Sequence, residues 1–190
     1  MNLVLASSST FRAQLLARLN LPFSTASPEI DESARTDETP LSQVARLALE
    51  KATVAQQRHP TSVLIGSDQM AILKDQVLGK PGNIDNAKRQ LMQVSGQKVQ
   101  FLTSVCVLSP ESAPMTAIDI TSVWFRDLTE GEIERYIALD NPIHCAGSFK
   151  AESAGMSLFS KWQTNDPDAL IGLPLITVAK FLRCLGWQVP

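Results

Sequence analysis

The sequence predicts an α/β protein built on a mixed sheet, and three observations carry that expectation. Leu3-Val4-Leu5-Ala6 and Val63-Leu64-Ile65 are short apolar runs bounded by polar residues, as in strands buried on both faces. Val99, Phe101, Thr103, Val105 and Val107 alternate, as do Ile118, Ile120, Ser122 and Trp124, which suits two long antiparallel neighbours. Segments with apolar residues at helical spacing separate these runs, so helices and strands share one core.

In chain order, the first strand breaks into Ser7-Ser8-Ser9, and Phe11, Leu15, Leu16 and Leu19 then trace a short amphipathic helix that Asn20 and Pro22 stop. The segment from Ser27 to Thr39 is acidic and turn-rich and reads as an exposed loop. Thr39 is a cap and Pro40 a first helical position for a helix from Leu41 to about Gln57, with Val44, Leu47, Ala48, Ala52 and Ala55 inward. The Val63 strand is expected to end at Gly66-Ser67-Asp68-Gln69. Met70 to Leu73 and Gln76 to Leu78 flank a turn at Lys74-Asp75, and Gly79-Lys80-Pro81-Gly82 closes that hairpin in a rigid loop. A helix from Ile84 to Val94 follows. Thr129 and Glu132 form a capping box ahead of Ile133, Tyr136 and Ile137. The last helix runs from about Pro174 to Leu185, with Gly186 past its end.

A chain of 190 residues with 44% hydrophobic and 19% charged residues is expected to form one domain. Its net charge of −2 gives no basic field for a nucleic-acid backbone, so phosphate binding must be local. No long apolar stretch free of charge suggests a membrane span or a signal segment. Cys106, Cys145 and Cys184 are odd in number and lack paired spacing, which points to a reducing cytoplasm rather than to disulfides or zinc. His144 and Cys145 are adjacent, so on extended backbone their side chains diverge and do not form a nucleophile pair.

The chemistry concentrates at a few positions. Three hydroxyl residues where a strand meets a helix offer donors at the positive end of the helix dipole, and Arg12 adds a planar charged fork suited to phosphate oxygens. The plainer alternative makes Ser9 only an N-cap and Arg12 a surface residue. Asp68, just past Gly66, stands where ligands gather in open α/β sheets, or else closes a tight bend. Ser7, Arg12, Lys51 and Lys80 together supply the positive side of a triphosphate site. Glu29, Asp31, Glu32 and Asp68 supply oxygens for a divalent metal, which needs only one or two carboxylates beside phosphate and water.

Six segments in order, Leu5-Ala6-Ser7-Ser8-Ser9-Thr10-Phe11-Arg12, Pro28-Glu29-Ile30-Asp31-Glu32, Glu50-Lys51-Ala52, Gly66-Ser67-Asp68-Gln69, Gly79-Lys80-Pro81 and Gly172-Leu173-Pro174-Leu175, resemble the Maf nucleotide pyrophosphatases over nearly the whole chain. The resemblance implies a two-lobed mixed sheet flanked by helices, shared with inosine-triphosphate pyrophosphatases, and an active-site cleft between the lobes. It implies cleavage of a nucleoside triphosphate to monophosphate and pyrophosphate with a divalent cation, Mg²⁺, Mn²⁺ or Co²⁺. Asp68 is then the general base, Glu32 helps hold the metal with Asp68, and Ser7, Arg12, Lys51 and Lys80 cradle the phosphates. Phe11, Gln69 and Glu152 resemble the 7-methyl-GTP branch, whose members usually carry Trp where Phe11 stands. A methylated guanine is cationic, so an aromatic face attracts it, and Glu152 can accept from its N1–H and amino edge. Phe11 has the alternative of anchoring the first helix in the core. The partner implied is a small nucleotide, without nucleic acid or membrane and with room for a homodimer. Two other functions compete: a dTTP or UTP pyrophosphatase of the same family, and a nucleotide-binding regulator of cell division without turnover.

Overall fold

The computed structural model describes residues 1–189. Strands β1 (Leu3–Ala6), β2 (Phe23–Ala26), β3 (Val63–Leu73), β4 (Gln76–Leu78), β5 (Lys98–Leu108), β6 (Met115–Phe125) and β7 (Phe159–Gln163) form a seven-stranded sheet. Their order is β2-β1-β3-β5-β6-β7, with β4 paired to β3 off that path. β1 is parallel to β2 and β3, whereas the β3–β4 and β6–β7 pairs are antiparallel, so the sheet is mixed. Among the described residues five α-helices flank it: α1 (Thr10–Ala17), α2 (Pro40–Arg58), α3 (Ile84–Val94), α4 (Glu130–Asp140) and α5 (Leu175–Cys184).

The chain divides into two compact units. The first holds Met1–Gln69, Thr103–Asp119 and Asp166–Pro190; the second holds Met70–Leu102 and Ile120–Asn165. In the first unit the strand period of two sorts side chains onto opposite faces. Leu3, Leu5, Val63, Ile65, Val105 and Val107 pack with Leu15 and Leu16 of α1 and Val178 and Leu182 of α5. Val4, Leu64, Cys106 and Leu108 pack with Ala48, Ala52 and Ala55 of α2. Small residues on α2 permit a close approach, and Gly66 exploits it: a Cβ there would lie 2.1 Å from the Ala48 carbonyl oxygen.

In the second unit the hairpin turns at Lys74, whose φ of 56° matches a tight turn, and pairs Ala71 with Leu78. Phe149 sits edge-on to Phe101, Phe125 and Phe159, with ring centroids 5.0, 6.2 and 5.1 Å away. The capping box at Thr129 and Glu132 is present, with the Thr129 backbone N–H donating to Glu132 Oε2 at 2.8 Å.

Two corrections concern strands. β3 does not stop at Gly66; it continues through Ser67, Asp68 and Gln69 to Leu73, so Asp68 lies within an eleven-residue strand. The polar residues are accommodated because each finds a buried partner: Ser67 donates to the Ser104 and Gly172 carbonyls, Asp68 accepts from Lys51, and Gln69 donates to Thr103. β2 and β7 lack an apolar or alternating signature because both are largely exposed edge strands, and the sequence reading leaves them out.

Candidate active site

Asp68 and Lys51 form the centre of the first unit. Leu64, Gly66 and Asp68 share the face of β3 that meets α2, and the close helix approach at Gly66 brings Lys51, one turn past Ala48, over Asp68. Lys51 Nζ lies 2.6 Å from Asp68 Oδ1 and 2.7 Å from Glu32 Oε1. Lys51 is only 8% exposed and Asp68 7%, which is uncommon for either residue type and marks the pair as a built feature rather than surface charge. Glu32 comes from the loop of residues 27–39, the segment expected to be exposed and acidic.

Arg12 enters the same cluster. Burial lowers its guanidinium from the ordinary value, while the Asp68 and Glu32 carboxylates pull it back up. Its Nε donates to the Gly172 carbonyl at 2.9 Å, and a terminal nitrogen reaches the Ser7 hydroxyl at 3.5 Å. Gly172 has φ 121°, and a Cβ there would stand 3.3 Å from Arg12 Nε, so glycine leaves room for the guanidinium. The three serines separate into roles. Ser9 caps α1 by accepting from the Arg12 backbone N–H, Ser7 is buried and faces Arg12, and Ser8 is exposed. Phe11 is half-buried on the first turn of α1.

Gln69 points to the other face of β3 from Asp68. Its amide nitrogen donates to Thr103 Oγ1 at 3.0 Å and to the Ala169 and Leu170 carbonyls at 2.8 and 3.1 Å. Thr103 donates to the same Ala169 carbonyl. These bonds fix the 3-10 turn at Pro167–Ile171, which Asp166 ties to the start of α5 by accepting from the Ile176 and Thr177 backbone N–H groups. Sequence reasoning missed Asp166, because this cap lies nine positions before the helix it serves.

Lys80 and Glu152 lie in the second unit. The Gly79 and Pro81 carbonyls on either side of Lys80 accept from Gln90 and Asn86 of α3, so an exposed lysine leaves a fixed backbone. Gln90 also accepts from the Ser148 hydroxyl, which joins this loop to the one carrying Glu152. Around Glu152, buried Phe149 anchors the chain, the Lys150 N–H donates to the Tyr136 hydroxyl at 2.8 Å, and Ser153 donates to Asp140 at 2.6 Å. Glu152 itself is exposed, yet partial desolvation raises its carboxyl above the usual range, opposed by a backbone hydrogen bond and by Lys150. Cys145 is shifted up by burial and then by Glu152, against Lys150 and Lys80, which makes it a poor nucleophile and places the four groups in one electrostatic neighbourhood. Gln90 and Asp140 carried no sequence signal and Tyr136 read only as a helix-face residue, since each acts here through tertiary contacts.

The donor set fits a hard divalent cation shared with phosphate. Glu32 and Asp68 converge on one ammonium, so two carboxylates already face a common positive charge, the number Mg²⁺ typically takes from protein. Among the described residues no group of three or more His, Cys, Asp or Glu side chains converges as a metal cage.

A mixed α/β sheet flanked by helices thus carries a buried lysine–aspartate pair beside a serine-rich strand-to-helix turn. The chain matches the family described as Maf-like protein over residues 2–185 and belongs to it. It is 48% identical to the 7-methyl-GTP pyrophosphatase of Xanthomonas campestris over 99% of this chain and 98% of that protein. It is equally identical to the 7-methyl-GTP pyrophosphatase of Alcanivorax borkumensis, over 99% and 96%. Among solved structures, the Staphylococcus aureus Ham1 protein aligns with 67% of this chain and 73% of its own, at 12% identity and a TM-score of 0.49.

Proposed function

We propose that this protein is a nucleoside triphosphate pyrophosphatase, a single two-lobed domain that prefers 7-methyl-GTP and releases the monophosphate and pyrophosphate. The observation that carries the reading is the buried Lys51–Asp68 pair, met by Glu32 from an exposed loop, beside Arg12 and Ser7. Relatives that are 48% identical over essentially the full length and carry the 7-methyl-GTP name support the choice of substrate.

Phosphoanhydride hydrolysis demands little covalent chemistry; positioning a water and neutralising developing charge suffice. Asp68 accepts the proton of the attacking water. Arg12 and Ser7 bind phosphate oxygens, with Arg12 held in place by the Gly172 carbonyl. Lys51 faces both carboxylates and adds positive charge where the phosphates sit, and Lys80 is assigned to the same anion by the family resemblance. Glu32 and Asp68 would hold a divalent cation, which would supply charge neutralisation and make a nearby water more acidic. Glu152 accepts from the guanine edge, and Phe11 stacks on the cationic base. Gln69 contributes to specificity by holding the 167–171 turn, since its amide nitrogen is committed to that turn.

The test is pyrophosphate release by purified protein with Mg²⁺ or Mn²⁺ across a panel of triphosphates. Preference for 7-methyl-GTP is the expected result. Equal or better turnover of dTTP or UTP overturns the specificity, and binding without hydrolysis of any nucleotide overturns the enzyme reading in favour of a regulator. Among the described residues no helix is long and apolar enough to cross a membrane.

A further inference from the structure

Glu32 sits on a loop with no helix or strand of its own, yet it meets Lys51 at 2.7 Å. The loop makes turn bonds of its own, such as Ser33 N–H to Asp31, and is held to α2 by several side chains, of which one makes the most contacts. Arg46, on α2, reaches Glu38 Oε1 through Nε at 2.6 Å and Glu38 Oε2 through a terminal nitrogen at 2.7 Å. The same terminal nitrogen donates to the Ser33 carbonyl at 3.0 Å, and the other donates to Glu50 at 2.9 Å. Ser33 is the residue after Glu32. One turn earlier on α2, Gln43 donates to the Glu32 carbonyl at 3.0 Å.

We infer that Arg46 is a positioning residue: with Gln43 it latches the 27–39 loop onto α2 and thereby sets Glu32 for divalent-cation binding. This rests on the metal role proposed for Glu32. The guanidinium fork is required, because a bidentate carboxylate, a carbonyl and a second carboxylate are met by donors in one plane, and a lysine ammonium cannot span them. The Arg46 and Glu38 side chains are 11% and 9% exposed, so little water competes for these bonds. Arg46 stands apart from the fold's main support, since Val44, Leu47 and Ala48 anchor α2 in the core without it. Outer residues that orient metal ligands typically change metal affinity about 10–100-fold when removed.

The experiment compares wild type with Arg46→Met, Arg46→Lys and, as a charge-matched control at the end of α2, Arg58→Met. Two readouts are taken: hydrogen exchange of the 29–39 amides, and Mn²⁺ binding followed by the free-ion EPR signal with the α,β-methylene analogue of GTP. The expected result is faster exchange confined to the loop and Mn²⁺ affinity lowered about tenfold or more in Arg46→Met. Arg46→Lys should recover little of either, and Arg58→Met should match wild type. Unchanged loop exchange or unchanged Mn²⁺ affinity in Arg46→Met overturns the latch. If Arg46→Met fails to fold, Glu38→Gln combined with Gln43→Ala weakens two of the loop's ties to α2 and is judged by the same criteria. Wild-type protein that binds no Mn²⁺ defeats the metal role of Glu32 instead, and loop exchange then decides the latch on its own.

Discussion

Lys51 and Asp68, seventeen positions apart, meet at 2.6 Å with each side chain about nine-tenths buried. A helix and a central strand are thus joined through two opposite charges in a place where either alone is costly. Lys51→Met removes the cation and leaves two carboxylates facing one another. Breaking a buried pair from one side typically costs about 3–5 kcal/mol, so a marked drop in thermal midpoint is expected. A midpoint equal to wild type would show that the pair is not an energetic part of the core.

Asp68→Asn keeps the shape and a hydrogen-bonding oxygen for Lys51 but removes the proposed base. Turnover should fall by about 10²–10⁴-fold, the usual contribution of a positioned proton acceptor. Nucleotide binding, followed calorimetrically with the α,β-methylene analogue, should persist. Retained turnover would move the base elsewhere.

Gly66→Ala tests the helix approach that builds the site. Its Cβ would lie 2.1 Å from the Ala48 carbonyl oxygen and 2.9 Å from the Ala52 nitrogen, both backbone atoms that cannot swing away. α2 must shift, taking Lys51 with it. The expected outcome is a loss of about 1–3 kcal/mol in chemical denaturation, together with reduced turnover in the folded protein.

Glu152→Ala should weaken 7-methyl-GTP turnover far more than UTP turnover; equal losses would remove Glu152 from base recognition. Desolvation raises the Glu152 carboxyl in the folded protein, so the native state binds its proton more tightly than the unfolded chain. Its contribution to stability is therefore full below the ordinary glutamate range and declines as pH rises through the raised value. Base recognition has the opposite sense, since accepting from guanine requires the ionised form. The preference for 7-methyl-GTP over UTP should erode on acidification from above the ordinary glutamate range, and Glu152→Gln should abolish that pH dependence.

Glu38 behaves in reverse. Its hydrogen bonds to Arg46 hold the carboxyl down to about 2, so its stabilisation is complete above the ordinary glutamate range and is lost as pH falls toward 2. Acid titration of wild type against Glu38→Gln, read by hydrogen exchange of the 27–39 loop, should show this acid-side loss in wild type alone.

Much of the fold was legible because local rules and tertiary packing agree. Thr39-Pro40 starts α2, Asn83 caps a helix whose bounds match the periodicity, and Lys74-Asp75 turns the hairpin. The end of β3 was misplaced because Ser67, Asp68 and Gln69 look like a turn in one dimension; only partners 17 to 105 positions away make them strand residues. The same limit hid Arg46, which reads in sequence as an ordinary helix-surface charge. Ser7, Arg12, Lys51 and Asp68 were recognisable as residue types, and the structure brings these four together with Glu32 in the first unit. It places Lys80 and Glu152 in the second unit, each on a loop tied down by α3 or Tyr136.

Arg12 and Ser67 both donate to the carbonyl of Gly172, from 160 and 105 positions earlier. The protein therefore cannot finish its first functional turn when that turn is made. Synthesis proceeds from the N-terminus, so Ser7 and Arg12 emerge from the ribosome long before the oxygen that seats Arg12. A nascent chain exposes Ser7 and Arg12 early but lacks their geometry, and a chain that stops anywhere before Gly172 lacks the oxygen that seats Arg12.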